Sequence, residues 1–496
     1  MAKYLAALDQ GTTSSRTVIF SEDGRMIASC NKEFPQHYPK PGWVEHDPRD
    51  ILNTQVASLQ EAVRLSGVNP AEIAAVGITN QRETTFLWDR QTGECVGNAI
   101  VWQCRRTSPM VDDLVSRGCG DMIREKTGLV PDAYFSGTKL KWMLDYYNLR
   151  DKAEKGNLCF GTADSFLCWN LLENRPHVTD ATNAGRTMLF NLHTQEWDED
   201  LLRLLEIPRA CLPRVVDSSG PIGMLDPAIL GRRIPVTGMA GDQHASLFGQ
   251  ACLNPGDVKN TYGTGCFMLM NTGNTPVKSR NGLLTTMAWR IGGKPVYALE
   301  GSVFMGGATI QWLRDELKII SHAAESEALA QSVTGTGGVY LVPAFTGLGA
   351  PWWDSYSRGT LIGMTRGTGR PHIVRAALEA IAYQSADLMD AMAKDCGQRP
   401  ERLQVDGGAS ANAFLMQFQA DISAIPVVRP KVLETTALGA ALLAGLGAGV
   451  YASTGDTAAV WQKDLEFTPQ IDEATRRLAL GGWHKAVERS LGFARD

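Results

Sequence analysis

The 496-residue chain carries ten cysteines but lacks any CxxC pair and any cysteine–histidine group at zinc spacing. Thiols scattered through so large a chain exclude a thiolate zinc centre and point to a reducing, cytoplasmic compartment, not to a disulfide framework. Basic charge is not in excess either: 48 Lys and Arg against 53 Asp and Glu leave a net charge of -5, so no positive field exists to hold a nucleic acid backbone. The start of the chain has one lysine followed directly by a strand pattern, without the apolar core of a signal peptide, and export is not expected. The uncharged stretch Thr435 to Ser453 is rich in Gly and Ala instead of Leu and Ile. It reads as a buried helix packed closely on a neighbour, not as a membrane span. Two common nucleotide fingerprints are missing as well. No G-x-x-x-x-G-K-[ST] occurs and no G-x-G-x-x-G opens a helix after a strand, which weakens Walker-type ATPase and Rossmann dehydrogenase readings.

What the chain does have is alternation. Strand-like Ala74 to Ile78 follows helical Asp50 to Leu65, and strand-like Leu403 to Val405 precedes helical Ala413 to Ile422, a pattern that predicts α/β architecture. The length suggests roughly two to four domains. A long-period echo narrows this. Leu8-Asp9-Gln10-Gly11-Thr12-Thr13-Ser14-Ser15-Arg16 lies between apolar runs, and Val258 to Met270, with Gly263-Thr264-Gly265 at its middle, repeats strand, Gly-Thr turn, strand in the second half. Two such hairpins predict a duplicated fold, each half built around its own sheet, with ligands in the cleft between them. The boundary is expected near Gly249 to Pro255, where Asn254-Pro255-Gly256 supplies a turn, giving domains 1–250 and 251–496.

The first hairpin reads as a phosphate cradle. Gly11 permits a tight turn while hydroxyls and bare N–H groups face outward. Asp9 is placed to hold the Mg²⁺ that accompanies ATP, because that ion takes one or two carboxylates and completes its shell with water and phosphate oxygens. An ordinary polar turn fits the same residues. In Gln404 to Asn412 the run Asp406-Gly407-Gly408 puts glycines at a helix N-terminus, where exposed N–H groups and the helix dipole favour a phosphate or a nucleoside edge. A plain strand-to-helix turn is the alternative there. Gly306-Gly307 repeats the logic ahead of Gln311.

Gly238-Met239-Ala240-Gly241-Asp242-Gln243-His244 follows the apolar Ile234 to Val236 and reads as a glycine-flanked loop carrying an acid and an amide. Asp242 is suited to accept the proton of an attacking hydroxyl, or to cap the helix that follows. His244 reads as a neighbour, not as a ligand. The polar clusters Thr79 to Thr85 and Trp102 to Arg106 fall after expected strands, where open α/β sheets place ligands. There Arg82 and Glu83 offer donors and acceptors to a polyhydroxylated substrate, and Trp102 offers an apolar face. A surface ion pair is the plainer account of Arg82 and Glu83.

With these motifs the chain resembles the FGGY family of sugar and polyol kinases, whose duplicated ATPase fold is shared with actin and hexokinase. The likeness runs through nearly the whole chain. It is carried by Asp9 to Arg16, Pro41 to Pro48, Ile78 to Thr84, Trp102 to Arg106, Asn260 to Phe267 and Phe345 to Pro351. The resemblance implies two actin-like or hexokinase-like ATPase domains with an interdomain cleft. It implies an ATP-dependent kinase that turns glycerol into sn-glycerol 3-phosphate, with another polyol or sugar as the alternative acceptor. On the same likeness, Arg82, Glu83, Tyr134, Asp242 and Gln243 would hold glycerol while Trp102 and Phe267 cover its carbon edge. Thr12, Thr13, Ser14 and Arg16 would contact the nucleotide phosphates, joined by Thr264 from the second hairpin. Gly307, Gln311, Gly408 and Asn412 would line the nucleoside pocket, Asp242 would be the general base, and Asp9 would organise Mg²⁺. A cytoplasmic homo-oligomer, with no nucleic-acid partner and no membrane span, completes the expectation. A nucleotide-switched filament on the same fold would leave Arg82, Glu83 and Trp102 without a purpose.

Overall fold

Leu5, Ala6, Ala7 and Leu8 are all buried, so the first strand has no solvent face, as befits a strand covered on both sides. In the computed structural model, which describes residues 4–495, this strand, Tyr4–Gln10, pairs antiparallel with Ser14–Ser21 and parallel with Ile73–Asn80. Ile73–Asn80 in turn pairs parallel with Pro235–Gly241. The second half repeats the plan. Val258–Tyr262 pairs antiparallel with Cys266–Gly273 and parallel with Leu403–Asp406, which pairs parallel with Val427–Pro430. The expected duplication is therefore present in these strands.

The expectation of a separate sheet for each half is corrected. A single sheet of 13 strands passes through both halves, joined where Ser219 pairs with Ile291.

The Gly- and Ala-rich stretch forms the buried helix Thr435–Gly447. It belongs to the second half yet lies on the first-half strands Tyr4–Gln10, Ile73–Asn80 and Pro235–Gly241. Glycine makes the approach possible. A Cβ on Gly77 would stand 2.1 Å from the Ala440 carbonyl oxygen, and one on Gly439 would stand 1.8 Å from that of Ala245, in the neighbouring helix Asp242–Gly249. The Ser219 and Thr237 hydroxyls donate to the Leu443 and Ala444 carbonyls at 2.8 and 2.7 Å, so polar strand residues are satisfied against the same helix. No helix among the described residues is long and apolar enough to cross a membrane.

Candidate active site

Parallel strands align their carboxyl ends: Gln10 pairs with Asn80, and Asn80 with Gly241. From this one rim spring the turn after Gln10, the segment Gln81 to Thr85 and the helix Asp242–Gly249. Asp9, Arg82, Glu83 and Asp242 are gathered there by register alone. In the first hairpin the Gly11 N–H donates to the Ser14 carbonyl at 2.9 Å. That bond closes the turn with Thr13 exposed and Thr12 and Ser14 half-buried. Arg16 ion-pairs with Glu434, which directly precedes Thr435–Gly447.

The reading of Gly238 to Gly241 as a loop is corrected: they finish the strand Pro235–Gly241, and Asp242 is the first residue of its helix. Their lack of side chains serves packing. A Cβ on Gly238 would stand 2.4 Å from the Ala444 nitrogen, and one on Gly241 would stand 2.8 Å from Cγ and Cδ of Arg82. The Asp242 carboxylate is one-third exposed and lies 3.2 Å from Nε of Arg82. His244 is fully buried beside the Thr286 hydroxyl. Burial, with Arg82 nearby, keeps it neutral.

Arg82 and Glu83 are not a surface ion pair, since they are 3% and 1% exposed. Burial works against the Arg82 charge, but Glu300 and its other anionic neighbours hold it firmly cationic. The Arg82 guanidinium also donates to the Tyr134 hydroxyl at 3.4 Å. Trp102 stands edge-on to Tyr134 with ring centroids 5.6 Å apart, so an aromatic wall flanks the polar cluster.

Along the second hairpin, Lys259 pairs with Leu269, Thr261 with Phe267, Leu269 with Glu300 and Phe267 with Ser302. Cross-strand partners share a face, so Lys259, Thr261, Phe267 and Glu300 point the same way. The Lys259 ammonium donates to the Gln243 side chain at 2.6 Å and to the Thr261 hydroxyl at 2.8 Å. Burial pushes Lys259 down to about 8, against the pull of Asp406 and Asp242. Asp9 goes the other way. Burial pushes its carboxyl up to about 7, Arg16 opposes, and Asp242 and Glu434 add to the rise. Asp406 is a buried hub that accepts from Thr435, Gln250 and Ser246 at 2.6, 2.8 and 2.9 Å.

Two glycine sites need correction. The Gly306, Gly307 and Ala308 N–H groups donate to the Thr264, Gly263 and Thr264 carbonyls at 2.9, 2.8 and 3.0 Å. The helix Gly307–Asp315 therefore spends its first amides on the hairpin, not on an anion. That docking sets Gly307 against exposed Thr264, with Gln311 exposed one turn on. Gly407 and Gly408 do not open the α-helix, which is Ala413–Ser423 and is capped by the Asn412 side chain accepting from the Leu415 N–H at 2.9 Å. Gly407 has φ 84° and lies against the Tyr262 backbone, while Gly408 starts the short 3-10 turn Gly408–Ala411 and has open space where a Cβ would stand. Nδ2 of Asn412 donates to the Ser326 hydroxyl at 3.3 Å.

Sequence reading missed Glu300, Arg186, Lys259 and Glu434. A signal existed for Glu300: a lone acid ending the run Val296-Tyr297-Ala298-Leu299 in a strand is out of place unless a cation meets it.

Residues 4–249 match the N-terminal domain, and residues 258–448 the C-terminal domain, of the FGGY family of carbohydrate kinases. Over 494 residues the chain is 60% identical to a glycerol kinase of Symbiobacterium thermophilum, with 99% of each chain covered. The crystal structure of Plasmodium falciparum glycerol kinase with ADP superposes with a TM-score of 0.93 at 35% identity, covering 99% of this chain and 98% of that one. A gluconate kinase from Lactobacillus acidophilus superposes with a TM-score of 0.88 at 24% identity, covering 98% and 97%, a likeness of fold alone.

Proposed function

The chain belongs to the FGGY family of carbohydrate kinases, and from that premise we propose that it transfers the terminal phosphoryl group of ATP to glycerol, forming sn-glycerol 3-phosphate. The observation that carries the reaction type is the strand-end rim, where Asp242 lies 3.2 Å from Arg82 and close enough to Asp9 to raise its proton affinity. The full-length 60% identity to a glycerol kinase favours glycerol over the other polyols and sugars of the family.

In this reading Arg82, Glu83, Tyr134 and Gln243 hold the acceptor hydroxyls, and Trp102 and Phe267 cover the carbon edge. Asp242 takes the proton of the attacking hydroxyl, a role open to a one-third exposed carboxylate beside a cation. Thr12, Thr13, Ser14, Arg16 and Thr264 steady the phosphates. Gly307, Gln311, Gly408 and Asn412 form the nucleoside side, which the open space at Gly408 supports. Such a division suits phosphoryl transfer, which is mostly positioning and charge neutralisation, and closing the halves would keep water from competing.

Mg²⁺ fits this rim. The Asp9 carboxyl is half-buried beside Asp242 and Glu434, with Arg16 to offset them, so a divalent cation would supply missing charge. Among the described residues no cluster of three or more His, Cys, Asp or Glu is arranged to hold a metal; Mg²⁺ takes one or two carboxylates and completes its shell with phosphate oxygens and water. When bound, it would neutralise charge on the transferring phosphoryl group.

We divide the chain at residues 250 and 251, supported by the two family matches and by the turn in which the Asp257 N–H meets the Asn254 carbonyl at 3.0 Å. Ten free cysteines support a cytoplasmic location. Homo-oligomerisation rests on the family alone, and sedimentation equilibrium tests it. The reaction is tested by ADP release with a panel of acceptors: glycerol should be the best of them, and turnover of gluconate or pentuloses without glycerol would overturn the assignment.

A further inference from the structure

Two cations and two anions are buried together under the acceptor side of the cleft: Arg82, Glu83, Arg186 and Glu300, none more than 3% exposed. Desolvating so many ions is costly, and for stability alone a well-packed apolar cluster serves as well or better. The geometry shows what the charges accomplish. Glu300 grips Arg82 through a fork, Nη1 to Oε2 at 2.6 Å and Nη2 to Oε1 at 3.0 Å. Such a fork sets the plane of the guanidinium, and it leaves Nε toward Asp242 and Nη2 toward Tyr134. Arg186 then bridges Glu83 and Glu300, with Nε at 2.6 Å from Glu83 Oε1 and Nη2 at 3.1 Å from Glu300 Oε1. Both first-half side chains therefore take their orientation from one carboxylate on the second-half strand Lys294–Val303.

We propose that Glu300 is a positioning residue for the acceptor: from the second half it locks Arg82, and through Arg186 also Glu83, in the orientation that receives the acceptor hydroxyls beside Asp242. Burial alone would raise its proton affinity, but Arg186 and Arg82 bring it well below the usual carboxylate range, so the clamp stays ionised across the working range of pH. The proposal rests on the reading of glycerol as the acceptor at Arg82, Glu83 and Asp242. It also means that the acceptor site is complete only when both halves are in place.

The test compares wild type with Glu300→Gln, which keeps shape and loses charge, and Glu300→Asp, which keeps charge and shortens the reach. Glycerol KM, ATP KM and kcat are measured for each, together with ADP affinity by calorimetry as a check on folding. A misplaced Arg82 should raise glycerol KM by about tenfold or more in Glu300→Gln, with ATP KM and ADP affinity within about twofold, and Glu300→Asp should recover part of the loss. Should Glu300→Gln fail to bind ADP, Glu300→Asp alone decides: a raised glycerol KM with intact ADP binding supports the clamp, and an unchanged glycerol KM overturns it. Equal rises in both KM values would mark a merely structural residue and also overturn it. Wild type that ignores glycerol overturns the acceptor reading and the proposal with it, whereas wild-type turnover with an unchanged glycerol KM in both variants overturns only the positioning role.

Discussion

Trp102 donates its indole N–H to the Thr12 hydroxyl at 3.0 Å, which fastens the aromatic wall of Trp102 and Tyr134 to the turn of the first hairpin. Trp102→Phe keeps the aromatic contact with Tyr134 and loses this bond. A neutral hydrogen bond contributes about 1 kcal/mol, so kcat/KM should fall about fivefold, for ATP as well as for glycerol. Steady-state kinetics with each substrate varied in turn checks this, and a fall confined to glycerol would show that the bond does not couple the two sides.

Asp242→Asn removes the proposed base and keeps the side-chain volume. Turnover should drop by at least about a hundredfold, while ADP binding measured by calorimetry stays within about threefold. Undiminished turnover would move the base to another residue.

Acid should weaken the fold through the buried His46 and His244 and the half-buried His177. Burial brings His46 and His177 down to about 4, aided by His37 and Arg90 respectively, and holds His244 well below its ordinary value. An unfolded histidine titrates near 6.5, so below that pH the unfolded chain binds protons that the folded chain refuses. Stability is fully present above pH 6.5 and falls toward pH 4, by up to about 1.4 kcal/mol per pH unit for each histidine. Urea midpoints at pH 7, 6 and 5 measure the slope, and His46→Gln should flatten it.

Lys139 acts in the same sense at higher pH. Its ammonium is fully buried and donates to the Tyr134 and Phe135 carbonyls, and burial pushes it down to about 7. Below pH 7 both states carry the proton and the desolvation penalty is complete. Above it the folded state releases a proton that the unfolded chain keeps until near pH 10.4, so this group makes stability rise between those limits. Lys139→Met should abolish that rise in urea midpoints taken between pH 7 and 9.

Gly439→Ala should cost more than about 3 kcal/mol or prevent folding, because its Cβ would overlap the Ala245 carbonyl. Gly481→Ala is the matched control. It lies in the helix Glu473–Ser490 with nothing within 4 Å of the added carbon, and it should stabilise by up to about 1 kcal/mol. Thermal unfolding separates the two, and a harmless Gly439→Ala would contradict the packing described.

Local chemistry was legible. The two hairpin turns, the acid after the strand ending at Gly241 and the uncharged helix Thr435–Gly447 are set by residues close in sequence, where turn preference, capping and strand alternation act. Glycine was harder to read, because one residue type serves ligand approach and helix packing alike. At Gly238 and Gly407 it serves packing, whereas next to Gly407 the position of Gly408 leaves open space.

Composition and spacing by themselves determined the α/β class, the duplication, the two Gly-Thr hairpins and the candidacy of Asp9, Arg82 and Asp242, since each is written in residues close in sequence. Tertiary structure alone decided that both halves share one sheet, that Arg82 is buried instead of exposed, and that Glu300, 218 residues away, holds it. The reason is physical: a charged side chain in a strand looks the same in sequence whether water or a distant guanidinium solvates it, and only the packing of one half on the other removes the water.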